Sequence, residues 1–102
     1  MYRASDPVEN EEWLAEIDDA AERLGLGEAA RSRATDLFLS SVPQTDRSKP
    51  ATVAASVYAG TLIAGEQRSQ AAVADAVGVS RLTVQKRWKA ILEEAGLEPP
   101  RW

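Results

Sequence analysis

The segment ATVAASVYAGTLIAGE, residues 51–66, constrains the fold more than any other part of the chain. Val53, Ala54, Val57, Tyr58, Leu62 and Ile63, padded by Ala51, Ala55 and Ala59, leave it apolar on nearly every side. A helix with so little polar surface must be surrounded by other elements, and its small residues let neighbouring helices approach closely. The segment is therefore predicted to be the central helix of a bundle. Pro50 just ahead of it suits a first helical turn, where a missing N–H costs nothing.

The flanking text supplies the surrounding helices. Residues 10–24 (NEEWLAEIDDAAERL) place Trp13, Ile17, Ala20, Ala21 and Leu24 on one stripe at helical spacing, and Gly25 stops them. Residues 28–42 carry Ala30, Ala34, Leu37, Phe38 and Ser41 on an inner stripe, with Pro43 as the stop. Beyond the central helix, Ser69 is placed to cap a short helix over 70–77, which Gly78 breaks. Ser80 caps a fifth helix over 81–95, predicted to bury Val84, Trp88, Ile91 and Ala95 with Leu92 at the edge. No strand pattern is present, so the fold class expected is all-α, a five-helix bundle. A chain of 102 residues supports a single core. The expected division is a flexible segment over 1–9, one domain over 10–96 and a loose tail over 97–102.

Composition narrows the chemistry. The chain has no cysteine and no histidine, which removes disulfides, thiolate zinc sites, the commonest general base and the usual nucleophile pairs. No arranged set of carboxylates, Lys, Tyr or Ser takes their place, so neither catalysis, a metal nor a cofactor is expected. Glu12, Glu16 and Asp19 share one face of the first helix; a solvated acidic face, able to dock a basic partner protein, is the favoured reading. With no signal-like apolar region at the amino terminus and no membrane-length run, the protein is expected to be soluble and cytoplasmic. Arginine outnumbers lysine nine to three alongside eighteen alanines, a low-lysine acidic composition that suits a high-salt, halophilic cytoplasm.

Charge is unevenly placed. The net charge is -4, yet residues 1–48 hold eleven acids against five bases while residues 49–102 hold five acids against seven bases. Nucleic acid responds to the local field of the face it meets, so the basic half matters more than the total.

Within that half, residues 69–88 read SQAAVADAVGVSRLTVQKRW. A helix-turn-helix needs apolar residues between its two helices and a glycine that permits a left-handed turn; Val73, Ala74, Val77, Gly78, Val79 and Val84 meet those spacings. With Val84, Trp88 and Ile91 inward, Leu82, Lys86 and Lys89 turn outward, flanked by Thr83 and Gln85. Ser80 and Arg81 sit at the helix amino terminus, where backbone N–H groups favour phosphate. Residues 66–89 hold five bases and two acids. A core hairpin with a solvated outer face would share much of this pattern; the coincidence of glycine, cap and charge reversal favours double-stranded DNA as a partner.

Residues 47–91, RSKPATVAASVYAGTLIAGEQRSQAAVADAVGVSRLTVQKRWKAI, resemble the cyclin-like repeat of archaeal transcription factor B and its eukaryotic counterpart, transcription initiation factor IIB. They look like its Ala-rich central helix, Gly-Glu turn and Gly-Val-Ser hairpin, and the last repeat of those factors is the most similar. The resemblance extends over roughly residues 10–95, and it implies a five-helix cyclin-like fold with a carboxy-terminal helix-turn-helix. Carried over by position, the contacting helix runs from Ser80 to Lys89, with Leu82 and Gln85 at base edges. Thr83, Lys86 and Arg87 would lie near phosphates, and Arg47 and Lys49 could touch the DNA backbone. TATA-binding protein, or another transcription protein, is the implied partner.

Relative to the family, the expectation here is one repeat with no zinc ribbon and no linker. The chain also has Gln85 where the family usually places arginine; Arg pairs bidentately with guanine, whereas Gln suits adenine. A stand-alone DNA-binding transcription regulator of an archaeal cell is the leading expectation, and a homodimer or a protein partner would be needed for tight binding. The alternative is a protein-interaction adaptor with a cyclin-like fold that has lost specific DNA reading.

Overall fold

The computed structural model describes residues 11–41 and 49–96. They form five helices: α1 (Glu11–Leu24), α2 (Glu28–Ser40), α3 (Lys49–Ala64), α4 (Gln70–Val77) and α5 (Arg81–Glu94). No strand occurs among the described residues. The expected roles of Asn10, Val42, Pro43 and Arg47, and the segments 1–9 and 97–102, lie outside the described residues.

α3 is the axis of the bundle. Every residue from Thr52 to Thr61 is buried, and the helix packs against each of the other four. Gly60 is what lets α2 come so close. A Cβ built there would lie 2.9 Å from the Ala34 backbone nitrogen and 3.1 Å from the Ala30 carbonyl oxygen, too near for any side chain. The buried hydroxyl of Thr61 donates to the Tyr58 carbonyl at 2.7 Å, satisfying itself within its own helix.

The outer helices bury the stripes expected of them, with shifts at their edges. α1 buries Ile17, Ala20 and Ala21, while Trp13 and Leu24 are half-buried. α2 buries Ala30, Ala34, Leu37 and Phe38, and Ser41 follows its last turn. On α5, Leu92 is not at the edge: it is wholly buried, deeper than Ile91, and Ala95 lies half-buried beyond the helix end. The reason is that α5 packs on α2 as well as α3, so its buried face is wider than one stripe. Trp88 meets Tyr58 edge to face, with ring centroids 5.4 Å apart and planes at 76°.

The loop between α3 and α4 ties down the opposite corner. Glu66 Oε1 accepts the Gly27 N–H at 2.9 Å, at the amino terminus of α2. Arg68 donates from Nε to the Leu24 carbonyl at 3.0 Å and from Nη2 to the Gly25 carbonyl at 3.3 Å, at the carboxy terminus of α1. Each charge meets the helix end whose dipole it complements.

Candidate nucleic-acid interface

α4 and α5 form a hairpin fixed at three points. Ser69 Oγ accepts the Ala72 N–H at 3.0 Å to start α4, and Ser80 Oγ accepts the Thr83 N–H at 3.2 Å to start α5. Between them Gly78 adopts φ +90°, a left-handed conformation that L side chains rarely take. That turn brings the Gly78 and Val79 N–H groups onto the Ala74 carbonyl at 2.8 and 2.9 Å, which ends α4. Val73, Ala74 and Val84 are buried beneath.

With α5 seated on Val84, Trp88, Ile91 and Leu92, its other side is open. Leu82, Gln85, Lys86 and Lys89 follow the i, i+3, i+4, i+7 spacing of a single face, and all are exposed. Leu82 is 51% exposed and is the one large apolar side chain in the open among the described residues. Arg81 is also exposed and donates from Nη1 to Gln85 Oε1 at 3.2 Å. Lys89 Nζ stands 5.6 Å from the Trp88 ring centroid, so its stem lies along an aromatic edge of the core. Residues 81–89 hold four bases and no acid.

Not every expected contact joins this face. The Thr83 hydroxyl is 2.9 Å from Ser80 Oγ, and the side chain is half-buried in the cap. Arg87 turns toward a cleft of about 330 Å³ lined by Ser41, Thr52, Ala90, Ile91 and Glu94, between α5 and the junction of α2 with α3. Lys49, one turn before Thr52 on α3, holds its Nζ 5.8 Å from the Trp13 ring centroid. Arg68, counted with the basic residues in the sequence, is engaged by the carbonyls that end α1.

Sequence reasoning missed the Arg81–Gln85 bond, although its i, i+4 spacing is readable. The roles of Glu66 and Arg68 carry no local signal, because their partners lie about forty residues away. The acidic residues gather elsewhere: Glu12, Glu16 and Asp19 are exposed on α1, and Asp18, Glu28 and Asp36 line an open cleft between α1 and α2 with Arg31. Among the described residues no group of carboxylates is placed to hold a metal, and no helix is long and apolar enough to cross a membrane.

Residues 9–94 match the family model described as the transcription factor TFIIB repeat. Transcription initiation factor IIB of Pyrococcus abyssi is 32% identical over 87 residues, covering 82% of this chain and 29% of the relative. The same factor of Pyrococcus horikoshii aligns with the same identity and coverage. That of Methanosarcina mazei is 40% identical over 45 residues, 44% of this chain and 13% of the relative. The chain thus spans less than a third of the length of the curated relatives it matches.

Proposed function

The chain belongs to the transcription factor TFIIB repeat family, and on that premise we propose that it acts in transcription by laying α5 in the major groove of double-stranded DNA. The observation that carries this reading is the open face of α5, where an exposed leucine and glutamine stand among cations with no acid between Arg81 and Lys89. Leu82 and Gln85 meet base edges. Ser80, Arg81 and Thr83 present the amino terminus of α5 to one phosphate strand, and Lys86 and Lys89 neutralise phosphates beside the groove. Arg87 and Lys49 reach the backbone at the flank.

A single repeat makes few such contacts, and each is weakened by salt. A protein partner supplies the rest: TATA-binding protein, another transcription protein, or a second copy of the chain. The acidic face of α1 favours a second reading, a protein-interaction adaptor, because Glu12, Glu16 and Asp19 stand exposed on one side of the helix and offer a docking surface to a basic partner protein.

Fluorescence anisotropy with a labelled duplex across a salt series tests the choice. Three phosphates neutralised by the α5 face, or five with the flanking cations, give a log–log slope of about −3 to −5. Absence of salt-dependent binding by the wild-type chain would leave the adaptor as the function.

A further inference from the structure

Leu82 stands open on the basic face of α5, and α1 carries the opposite pattern. Among the described residues Arg81, Lys86 and Lys89 form no ion pair; the charged pair that does form, Asp19 with Arg23 at 3.0 Å, lies within α1. α5 packs on α2, α3 and α4 and does not touch α1. From Glu11 to Glu22 the exposed positions of α1 are six acids and Ala15. Glu11, Ala15, Asp18 and Glu22 follow the i, i+4, i+7, i+11 spacing of one helix face, which leaves a small apolar gap between carboxylates. On α5, a large apolar side chain stands beside Lys86 and Lys89 in the same manner. The acids run along about 16 Å of α1 and the cations along about 12 Å of α5.

We propose that the α5 face docks on the α1 face of a second copy of this chain, with Leu82 seated at Ala15 and Lys86 and Lys89 against Asp18 and Glu22. An apolar centre within a charged rim is how protein interfaces are built, and opposite charges steer the encounter. The occupant is a second copy because the complementary face belongs to this chain, whose own α5 does not meet it. The two faces are unlike, so the contact is heterologous: each copy lends α5 to one neighbour and α1 to the next. Two helix faces bury less area than a permanent dimer needs, so the association is weak, reversible and sensitive to salt. Its consequence rests on the DNA reading above and is regulatory. A copy whose α5 lies on its neighbour presents no basic face to DNA, and a duplex that takes α5 releases the neighbour.

Sedimentation velocity of the full chain tests the pairing without DNA. At an ionic strength of about 0.01 M the mass should rise with protein concentration; at about 1 M, where the Debye length falls to about 3 Å, it should stay that of one chain. Lys86→Glu with Lys89→Glu should weaken self-association by about tenfold, because like charges then meet, and so should Asp18→Lys with Glu22→Lys. All four substitutions in one chain exchange the two signs and should restore it. Leu82→Ala should weaken it with every charge in place. A wild-type chain of constant mass at low ionic strength overturns the proposal, as does association that salt leaves unchanged. A four-substitution chain that is helical by circular dichroism yet stays single does the same. If the reversed chains do not fold, Leu82→Ala decides, and association equal to wild type overturns the proposal. A short duplex that holds one copy should then lower the self-associated fraction at low ionic strength; a duplex that binds and leaves that fraction unchanged puts the contact elsewhere than α5 and overturns it. A chain that self-associates with this charge dependence yet binds no duplex upholds the pairing and ends the DNA reading, whereas one that binds duplex and stays single does the reverse.

Discussion

Glu66 and Gly27 stand 39 positions apart in the chain, yet the Glu66 carboxylate caps the helix that Gly27 begins, at 2.9 Å. Two residues later Arg68 closes the end of α1 through the Leu24 carbonyl at 3.0 Å. One short loop therefore holds both ends of the α1–α2 turn. Replacing Glu66 by alanine should lower stability by about 1 kcal/mol, as loss of a helix cap typically does. Glu66→Gln keeps an accepting oxygen and should retain most of that. Thermal melts separate the two, since a loss of this size moves Tm by about 4–8 °C in a domain of this length.

Gly60→Ala tests the contact between α2 and α3. In an open helix alanine is favoured over glycine by about 1 kcal/mol. Here the added methyl meets backbone atoms of Ala34 and Ala30, so the substitution should destabilise by about 1–3 kcal/mol, the usual cost of overpacking. Ala34→Gly should give no rescue, because the obstruction is the Ala34 nitrogen and not its methyl. Urea titration of the single and double variants measures this.

Leu82 and Leu92 make a matched pair on one helix, at 51% and 0% exposure. Leu92→Ala should cost about 2–5 kcal/mol through the cavity it leaves. Leu82→Ala should change stability by less than about 0.5 kcal/mol, while weakening binding to duplex DNA. A Leu82→Ala variant that binds every duplex as wild type does would show that this side chain meets no base.

Lys86→Ala and Lys89→Ala should each reduce the salt slope of DNA binding by about 0.9, uniformly across sequences. Arg68→Ala should leave the slope unchanged despite removing the same charge, since its guanidinium is held by the α1 and loop carbonyls. Equal slopes for Arg68→Ala and Lys86→Ala would contradict that division.

Much of the bundle was legible in the sequence. Ser69, Gly78 and Ser80 mark α4 and the start of α5 as the structure has them, because caps and left-handed turns are local events read from single residue types. The central position of α3 follows from its lack of a polar side. The burial of Leu92 does not follow from a single stripe, because α5 meets three neighbours, α2, α3 and α4. Gly60 was passed over because a glycine inside a helix reads as a weak point until the backbone beside it is known. The roles of Glu66 and Arg68 carry no local signature, since their partners come from a distant turn. On the candidate interface, helical spacing placed Leu82, Gln85, Lys86 and Lys89 together, while the turning of Arg87 toward the α2–α3 junction depends on how α5 sits on the core.

The unbroken burial from Thr52 to Thr61 gives the molecule an internal gauge. Local openings that fray α1 or lift the α4–α5 hairpin uncover only part of that helix, so its middle amides meet solvent deuterium only when the whole domain comes apart. Their exchange rates in native buffer report the global unfolding free energy directly, and a stabilising ligand bound anywhere on the surface registers there, at the point furthest from it.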